Sequence, residues 1–578
     1  MKNMRSKIVI GALAVSLLAV SITGCSGNEE AKAVESTQAD ALEEDVQEDK
    51  TEEVSETQTN LSSEESNQAV GDESATELDE DTSKDVLSEE APSEGAVTNL
   101  QMVSEFYQDH YFADEEPYTE YAYTVTDCPA LSDEEAMKYP KLNETMEQVF
   151  KGRINSALDI YHQISEGAES DYKDIGEEYF STNFCERRTQ VMRADSSVVS
   201  LLHVDSDYYG GNHPNTVYHT CVIDSETGEI VGIEDIVKDM DMLEKYLIDE
   251  LKDKFSNVAF YDLENDIHKY CSTSTESLQF TVDHGFVTFY FSPYDIAPFA
   301  EGMQWINIGF DEVDGLLTDK YKDYPEDYAV TFLPFSSAYV NLSDKVRQLH
   351  FVTSKVNPDE DYSEIRYSVY YSGSSYEDDS SFYYEAEPVY IRRAGNDYLY
   401  VIKHGDNDYT SIDVLKLTEN SIEKIAEEYL GIASQECNNH YYDDCWRNSI
   451  LTDPNDFKTG SSIQSISTLY MTANSRVNED GTIEQLGDYC DVDSQLKLTL
   501  LQDISFDEVD ANSGEKIGTK NLKKGDCITI KRVYSDEKTY CTTEDNSAIM
   551  VEVVNRDGEK TVNGILLEEL FDGLVFAG

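Results

Sequence analysis

Residues 206–215 read Ser-Asp-Tyr-Tyr-Gly-Gly-Asn-His-Pro-Asn, a loop bracketed by two strand-like runs. Gly210 and Gly211 reach backbone angles closed to other residues, and Pro214 fixes its own φ, so the connection has a defined shape. Before it lies 197–205, SVVSLLHVD, and after it 216–224, TVYHTCVID, both rich in branched and aromatic residues. The resulting hairpin centres near Gly211 and sets His203 opposite His219, with Cys221 on the same face. A second strand pair, 278–282 and 286–292, turns at Asp283-His284-Gly285. It leads into Pro293-Tyr294-Asp295-Ile296-Ala297-Pro298-Phe299-Ala300-Glu301-Gly302, a second proline-shaped loop.

Upstream, 120–126 (EYAYTVT) has strand composition. Leu142, Met146, Phe150, Ile154, Leu158, Tyr161 and Ile164 then recur at the three- and four-residue steps of an amphipathic helix. Past the turn at 224–228, Leu243, Leu247, Leu251 and Phe255 mark a second helix. The order strand, helix, strands, helix, strands predicts an α+β unit over 101–340, with a mainly antiparallel sheet and two packed helices.

Four pieces in this order carry a family resemblance. They are the Gly-Gly-x-His-Pro-Asn loop, the Thr227-Gly228 turn, the segment from Tyr294 to Gly302, and Tyr139-Pro140-Lys141-Leu142-Asn143 at the helix start. Together they resemble the extracellular domain of RsiV-type anti-sigma factors and the similar domain of PdaC-type peptidoglycan deacetylases, the domain of unknown function 3298 family. In RsiV-type proteins such a domain binds lysozyme, so the resemblance implies recognition of a cationic protein of that kind. The deacetylase domain and a cytoplasmic anti-sigma segment are both missing from the sequence.

The chain opens with Lys2, Arg5 and Lys7, an apolar run at 8–20, and Ile22-Thr23-Gly24-Cys25. The run is short for a permanent span and has the form of a secretory signal. Cys25 in this setting is the lipid-anchor residue of an exported bacterial protein, and the whole resembles lipid-anchored proteins of Gram-positive bacteria. Residues 26–100 are dominated by Glu, Asp, Ser, Thr and Gln without one aromatic, which predicts a disordered acidic tether. Its reach is about 50 Å by random-coil scaling. The expected location is the outer face of the cell membrane.

Net charge is −74 over 578 residues, with 43 Lys and Arg against 117 Asp and Glu. Phosphate binding needs basic clusters, so nucleic acid is excluded as a partner. Two mostly-β units follow the first, over 341–450 and 451–578. The clearest hairpin is 398–403 with 411–417, and 496–501, 527–533 and 549–554 point to a small SH3-like barrel at the end.

Ten cysteines, nine once Cys25 carries lipid, cannot all close internally. Cys437 with Cys445 and Cys527 with Cys541 are spaced to bridge loops, while Cys185 and Cys221 sit where small buried hydrophobes do. His203, His219 and Cys221 share a face that suits zinc, but no CxxC or HExxH spacing supports a metal, and none is expected. The acidic turns at 359–361 and 406–408 lack the ligand spacing of a calcium loop. No nucleophile elbow, HExxH or P-loop is present, and no cofactor is expected.

The reading is a non-catalytic surface lipoprotein that binds a cationic protein such as lysozyme, or a wall fragment. Its contact residues are Tyr208, Tyr209, Asn212 and His213 from the first loop and Tyr294, Pro298 and Phe299 from the second. Tyrosines and prolines in shaped loops make rigid contacts at low entropic cost. The same residues are also of a type that plugs a core. The alternative is a cell-wall, peptidoglycan-processing enzyme using Asp207, His213 and Asp295 as acid and base, or an accessory module of such an enzyme.

Overall fold

The computed structural model describes residues 96–576, apart from short internal stretches of which 438–444 is the longest. The signal, Cys25, the tether up to residue 95 and the turns at 359–361 and 406–408 lie outside the described residues.

β1 (Met102–Phe112) pairs antiparallel with β2 (Glu120–Leu131). The short α1 (Asp133–Lys138) and the long α2 (Pro140–Ile175) carry the chain back across the sheet, so β3 (Asn183–Ala194) joins β2 in parallel. β4 (Val198–Tyr208) and β5 (Asn215–Asp224) continue antiparallel, as the hairpin reading requires. α2 starts on Pro140, where a missing N–H costs nothing, and buries Leu142, Met146, Phe150, Ile154, Tyr161 and Ile164 along one stripe. Two of the family-like pieces meet at its start. A Cβ on Gly228 (φ +70°) would stand 2.7 Å from the Lys141 backbone, and the Gly228 carbonyl accepts from Thr145 Oγ1 at 2.7 Å.

α3 (Ile233–Ile236), α4 (Met240–Lys254) and α5 (Leu263–Ser272) precede the sheet β6 (Gln279–Val282), β7 (Phe286–Phe291) and β8 (Gln304–Gly309). Leu243, Leu247 and Leu251 of α4 share a core with Val287, Phe289 and Phe291 of β7. The two sheets are tied at β6, where Val282 N–H donates to Ser200 Oγ at 2.9 Å and Phe280 N–H to Thr220 Oγ1 at 3.0 Å. The helices number more than the two expected, because α1, α3 and α5 are too short, or bury too few residues, to show a period.

Arg193, on β3, locks these parts together. Its side chain is fully buried and all five N–H donors are used. Nε bonds Asp195 Oδ2 at 2.6 Å, and the terminal nitrogens reach Ser197 Oγ and the carbonyls of Asp283, Tyr321 and Asp323. Charge and hydrogen bonds are both met, which is what makes a buried guanidinium tolerable.

Downstream, β9 (Tyr328–Thr331), β10 (Ser337–Leu342), β11 (Lys345–Lys355), β12 (Ile365–Tyr371), β13 (Ser374–Glu377), β14 (Glu385–Arg393), β15 (Asn396–His404), β16 (Thr410–Thr418) and β17 (Ser421–Glu428) form two sheets. Their orders are β10-β11-β12-β13 and β17-β16-β15-β14-β9, and they share a core containing Phe351, Tyr367, Val369, Tyr390, Leu399 and Leu415. The other face of β14 to β16 is covered by Leu451, Phe457 and Val477, which is why β15 is apolar on both sides. Buried tyrosine hydroxyls find carboxylates here: Tyr367 donates to Asp413 at 2.7 Å, Tyr383 to Asp378 at 2.6 Å and Tyr390 to Asp397 at 2.7 Å.

β18 (Gly431–Ile432), β19 (Ser434–Cys437) and β20 (Cys445–Ile450) then split between sheets. β19 and β20 return to the first unit, giving a seven-stranded order β19-β20-β1-β2-β3-β4-β5. β18 opens the last sheet, of twelve strands, whose core includes Leu469, Leu498, Ile528, Ile530, Ile549 and Val551. The barrel expected here does not close. The path ends on Gly431–Ile432 at one side and Lys516–Leu522 at the other, the latter an edge carrying Lys516 and Lys520. Among the described residues Cys527 and Cys541 are both free thiols, so that bridge is absent. Cys437 and Cys445 face each other in register, while their side chains lie outside the described residues.

The start of the fold is stitched to all of this. Leu100 N–H donates to the Ala194 carbonyl, the Asn99 amide to the Asp327 carbonyl, Gln101 to Asp456, and Thr452 Oγ1 to the Leu100 carbonyl at 2.6 Å.

Candidate functional site

The two predicted loops meet. The His213 ring lies on the Phe299 ring, with centroids 3.8 Å apart and planes 14° from parallel, and Tyr294 leans on Phe299 at 5.6 Å. Gly210 and Gly211 take φ of +84° and +111° with open space around them, so backbone angle and not crowding requires glycine. Tyr208 hydroxyl closes the loop by donating to the Gly211 carbonyl at 3.0 Å, and His213 Nδ1–H donates to the Pro214 carbonyl at 2.9 Å. In the second loop Asp295 Oδ2 accepts from Ser292 N–H at 2.6 Å, and Tyr294 holds φ +75°. Tyr209 and Tyr294 are each about half exposed, at 51% and 53%; Asn212 and His213 are exposed, and Tyr208, Pro298 and Phe299 are half-buried. None of the seven is a core plug.

A feature that sequence reading did not find runs into this loop pair. His110 on β1, Tyr123 on β2, Phe184 on β3 and Tyr208 on β4 are direct cross-strand neighbours. Their rings stack in turn at 6.1, 5.6 and 5.5 Å, and Phe112 extends the row from His110 at 5.9 Å. The row lies on the face away from α2, since Cys185, next to Phe184, points its thiol at the Ala157 carbonyl of that helix. Beside it runs a mostly polar row, Gln108, Val125, Glu186, Ser206 and Thr216, in which Glu186 accepts from the Tyr123 hydroxyl at 3.0 Å.

His203 and His219 pair as the hairpin demands, yet they serve different surroundings. His203 is buried, bonds Thr189 Oγ1 through Nδ1 at 3.0 Å and sits edge-on to Phe150; burial holds its pKa well below the usual range, with the Arg153 charge adding to the effect. His219 is half exposed and 4.0 Å from Asp205. Among the described residues no group of His, Cys, Asp and Glu is arranged to hold a metal ion. Burial pushes the Cys185 thiol up to about 12 and the Cys221 thiol up to about 11, so neither is a nucleophile at neutral pH.

Asp207, His213 and Asp295 are not brought into contact with one another. Asp207 pairs with Arg187 at 2.8 Å, His213 with Phe299, and Asp295 with the backbone of its own loop. Among the described residues no helix is long and apolar enough to cross a membrane.

No family model and no curated protein matches the chain. Solved structures of the DUF3298 family are similar to part of it. One from Bacteroides fragilis is 16% identical, with TM-score 0.29, over 38% of this chain and 96% of that one. One from Pseudomonas aeruginosa is 14% identical, with TM-score 0.26, over the same shares of 38% and 96%.

Proposed function

We propose that the chain is a non-catalytic, lipid-anchored surface protein whose first unit recognises a cationic protein such as lysozyme, or a wall fragment, in the manner of RsiV-type extracellular domains. The observation that carries this is the row of stacked rings from Phe112 to Tyr208, whose last hydroxyl closes the loop that lays His213 on Phe299. Stacked, prepositioned rings lose little entropy on binding and are the residue type on which binding energy concentrates. A net charge of −74 adds long-range attraction for a basic partner, screened within about 8 Å at physiological salt. Titration calorimetry of the chain lacking its signal, against lysozyme and against muropeptides, tests the reading. Heat of binding that falls with salt and drops on Tyr209→Ala or Phe299→Ala supports it. Absence of heat from both ligands at near-millimolar concentration removes it.

A further inference from the structure

The last sheet contains a cleft remote in sequence from the two loops. The strand Thr468–Val477 changes partner along its length: Met471 and Thr472 pair with Val492 and Asp491, whereas Ser475 to Val477 pair with the strand Ile483–Gln485. At this fork the sheet splits and leaves a cleft of about 350 Å³. It is lined by Lys458, Thr472, Asn474, Leu486, Tyr489 and Asp491, with the backbone at Ala473 and Gly487. Register explains the convergence, because Lys458 lies opposite Asn474, Thr472 lies opposite Asp491, and Thr472 and Asn474 are two apart on one strand.

The chemistry of the lining is mixed and close to neutral. Lys458 offers an ammonium and Asp491 a carboxylate; Asn474 and Thr472 supply an amide and a hydroxyl. Arg532 lies 4.3 Å over the Tyr489 ring, which also packs on Tyr534 at 5.5 Å, and bonds Asp491 from Nε at 3.3 Å while most of the Asp491 side chain stays exposed. A packed aromatic ring beside an ammonium, a carboxylate, an amide and a hydroxyl complements a pyranose, which has an apolar C–H surface and hydroxyls around its edge. The volume falls at the small end of ligand sites.

The geometry points to a saccharide-binding site at this fork, taking one or two sugar units of a neutral glycan. Ring hydroxyls donate to Asp491 and accept from Lys458 and Asn474, and the part of the Tyr489 ring that lines the cleft, away from Arg532, receives the C–H face. The site does not depend on the reading of the first unit.

Titration of the chain lacking its signal with chitotetraose and cellotetraose tests the site. Binding of at least one of them is expected, weakened at least tenfold by Tyr489→Ala and by Asp491→Asn, kept by Tyr489→Phe, and unchanged by Tyr209→Ala. Hydrogen exchange of the same chain with sugar should slow at 471–474 and 486–491, a readout that stands even where a variant folds poorly. Binding of neither sugar, protection elsewhere, or loss of binding through Tyr209→Ala instead of Tyr489→Ala overturns the assignment. Capture of a short peptide by the cleft in place of either sugar does so too.

Discussion

His213 and Phe299 stack ring on ring at 3.8 Å, and through that contact the tips of two loops from different sheets become one surface. Aromatic pairs of this kind contribute about 0.5 to 1.5 kcal/mol beyond their burial. A double-mutant cycle with His213→Ala and Phe299→Ala, read by urea denaturation, should return a coupling in that range. Strict additivity of the two changes would mean that the rings touch without stabilising the loop pair.

Arg193 should be intolerant of change. Replacing it with Met strands the Asp195 carboxylate and three carbonyls in the interior, with an expected loss of about 3 to 5 kcal/mol. Lysine should not rescue, because an ammonium has three donors where five are used. Equal melting temperatures for the parent and the Lys variant would contradict this.

Asp283 gives a pH signature. Burial pushes its carboxyl up to about 7, against hydrogen bonds from Thr288 and Thr281 and the Arg193 charge, which pull it down. An aspartate in the unfolded chain titrates near about 3.9. Between those values the native state holds the extra proton, so this group's contribution to stability falls as pH rises from about 4 to about 7 and is level above. Asp283→Asn removes that dependence, and its stability relative to the parent should grow over the same window. A difference that stays constant between pH 4.5 and pH 8 in urea midpoints would refute the assignment.

Cys25→Ala should abolish lipid labelling and release the chain from the membrane fraction. A variant that stays with the membrane after its signal is cleaved would remove the lipoprotein reading.

Truncation after residue 340 should leave a poorly behaved fragment. It deletes β19 and β20, exposing the β1 edge that pairs with Arg447 to Ile450, and separates β9 from β14. Size-exclusion chromatography is expected to show aggregation, and a stable monomer would show that the first sheet does not need its late strands.

Local pattern made part of this fold legible. The glycine loop fixed the hairpin and its register, the three- and four-residue spacing located α2 and α4, and two apolar runs on either side of a Gly-Asp-rich turn located β15 and β16. What escaped was non-local. β1 alternates weakly and is held by neighbours on both sides, one of them drawn from residues 445–450. The aromatic row needs the register of four strands at once, with α2 interrupting the chain between β2 and β3. Arg193 looks like an ordinary polar strand residue until Asp283, Tyr321 and Asp323 fold over it. The hairpin loop at 206–215 was readable because its glycines and proline set its shape locally.

The stitching of residues 98–101 has a mechanical meaning. Tension passed along the chain from its amino-terminal side arrives at Asn99 and Leu100 and runs along the axis of β1. It meets β2 on one flank and β20 on the other, so the bonds of both ladders carry the load in shear, together, instead of opening one by one as a zipper would. The bonds to Ala194, Asp327, Thr452 and Asp456 share the force between β3 and the connections that lead into β9 and the strand Phe457–Gln464, before β1 begins to slide. A pull on the chain at this point is therefore resisted by the whole strand at once and does not unravel the fold from the held end.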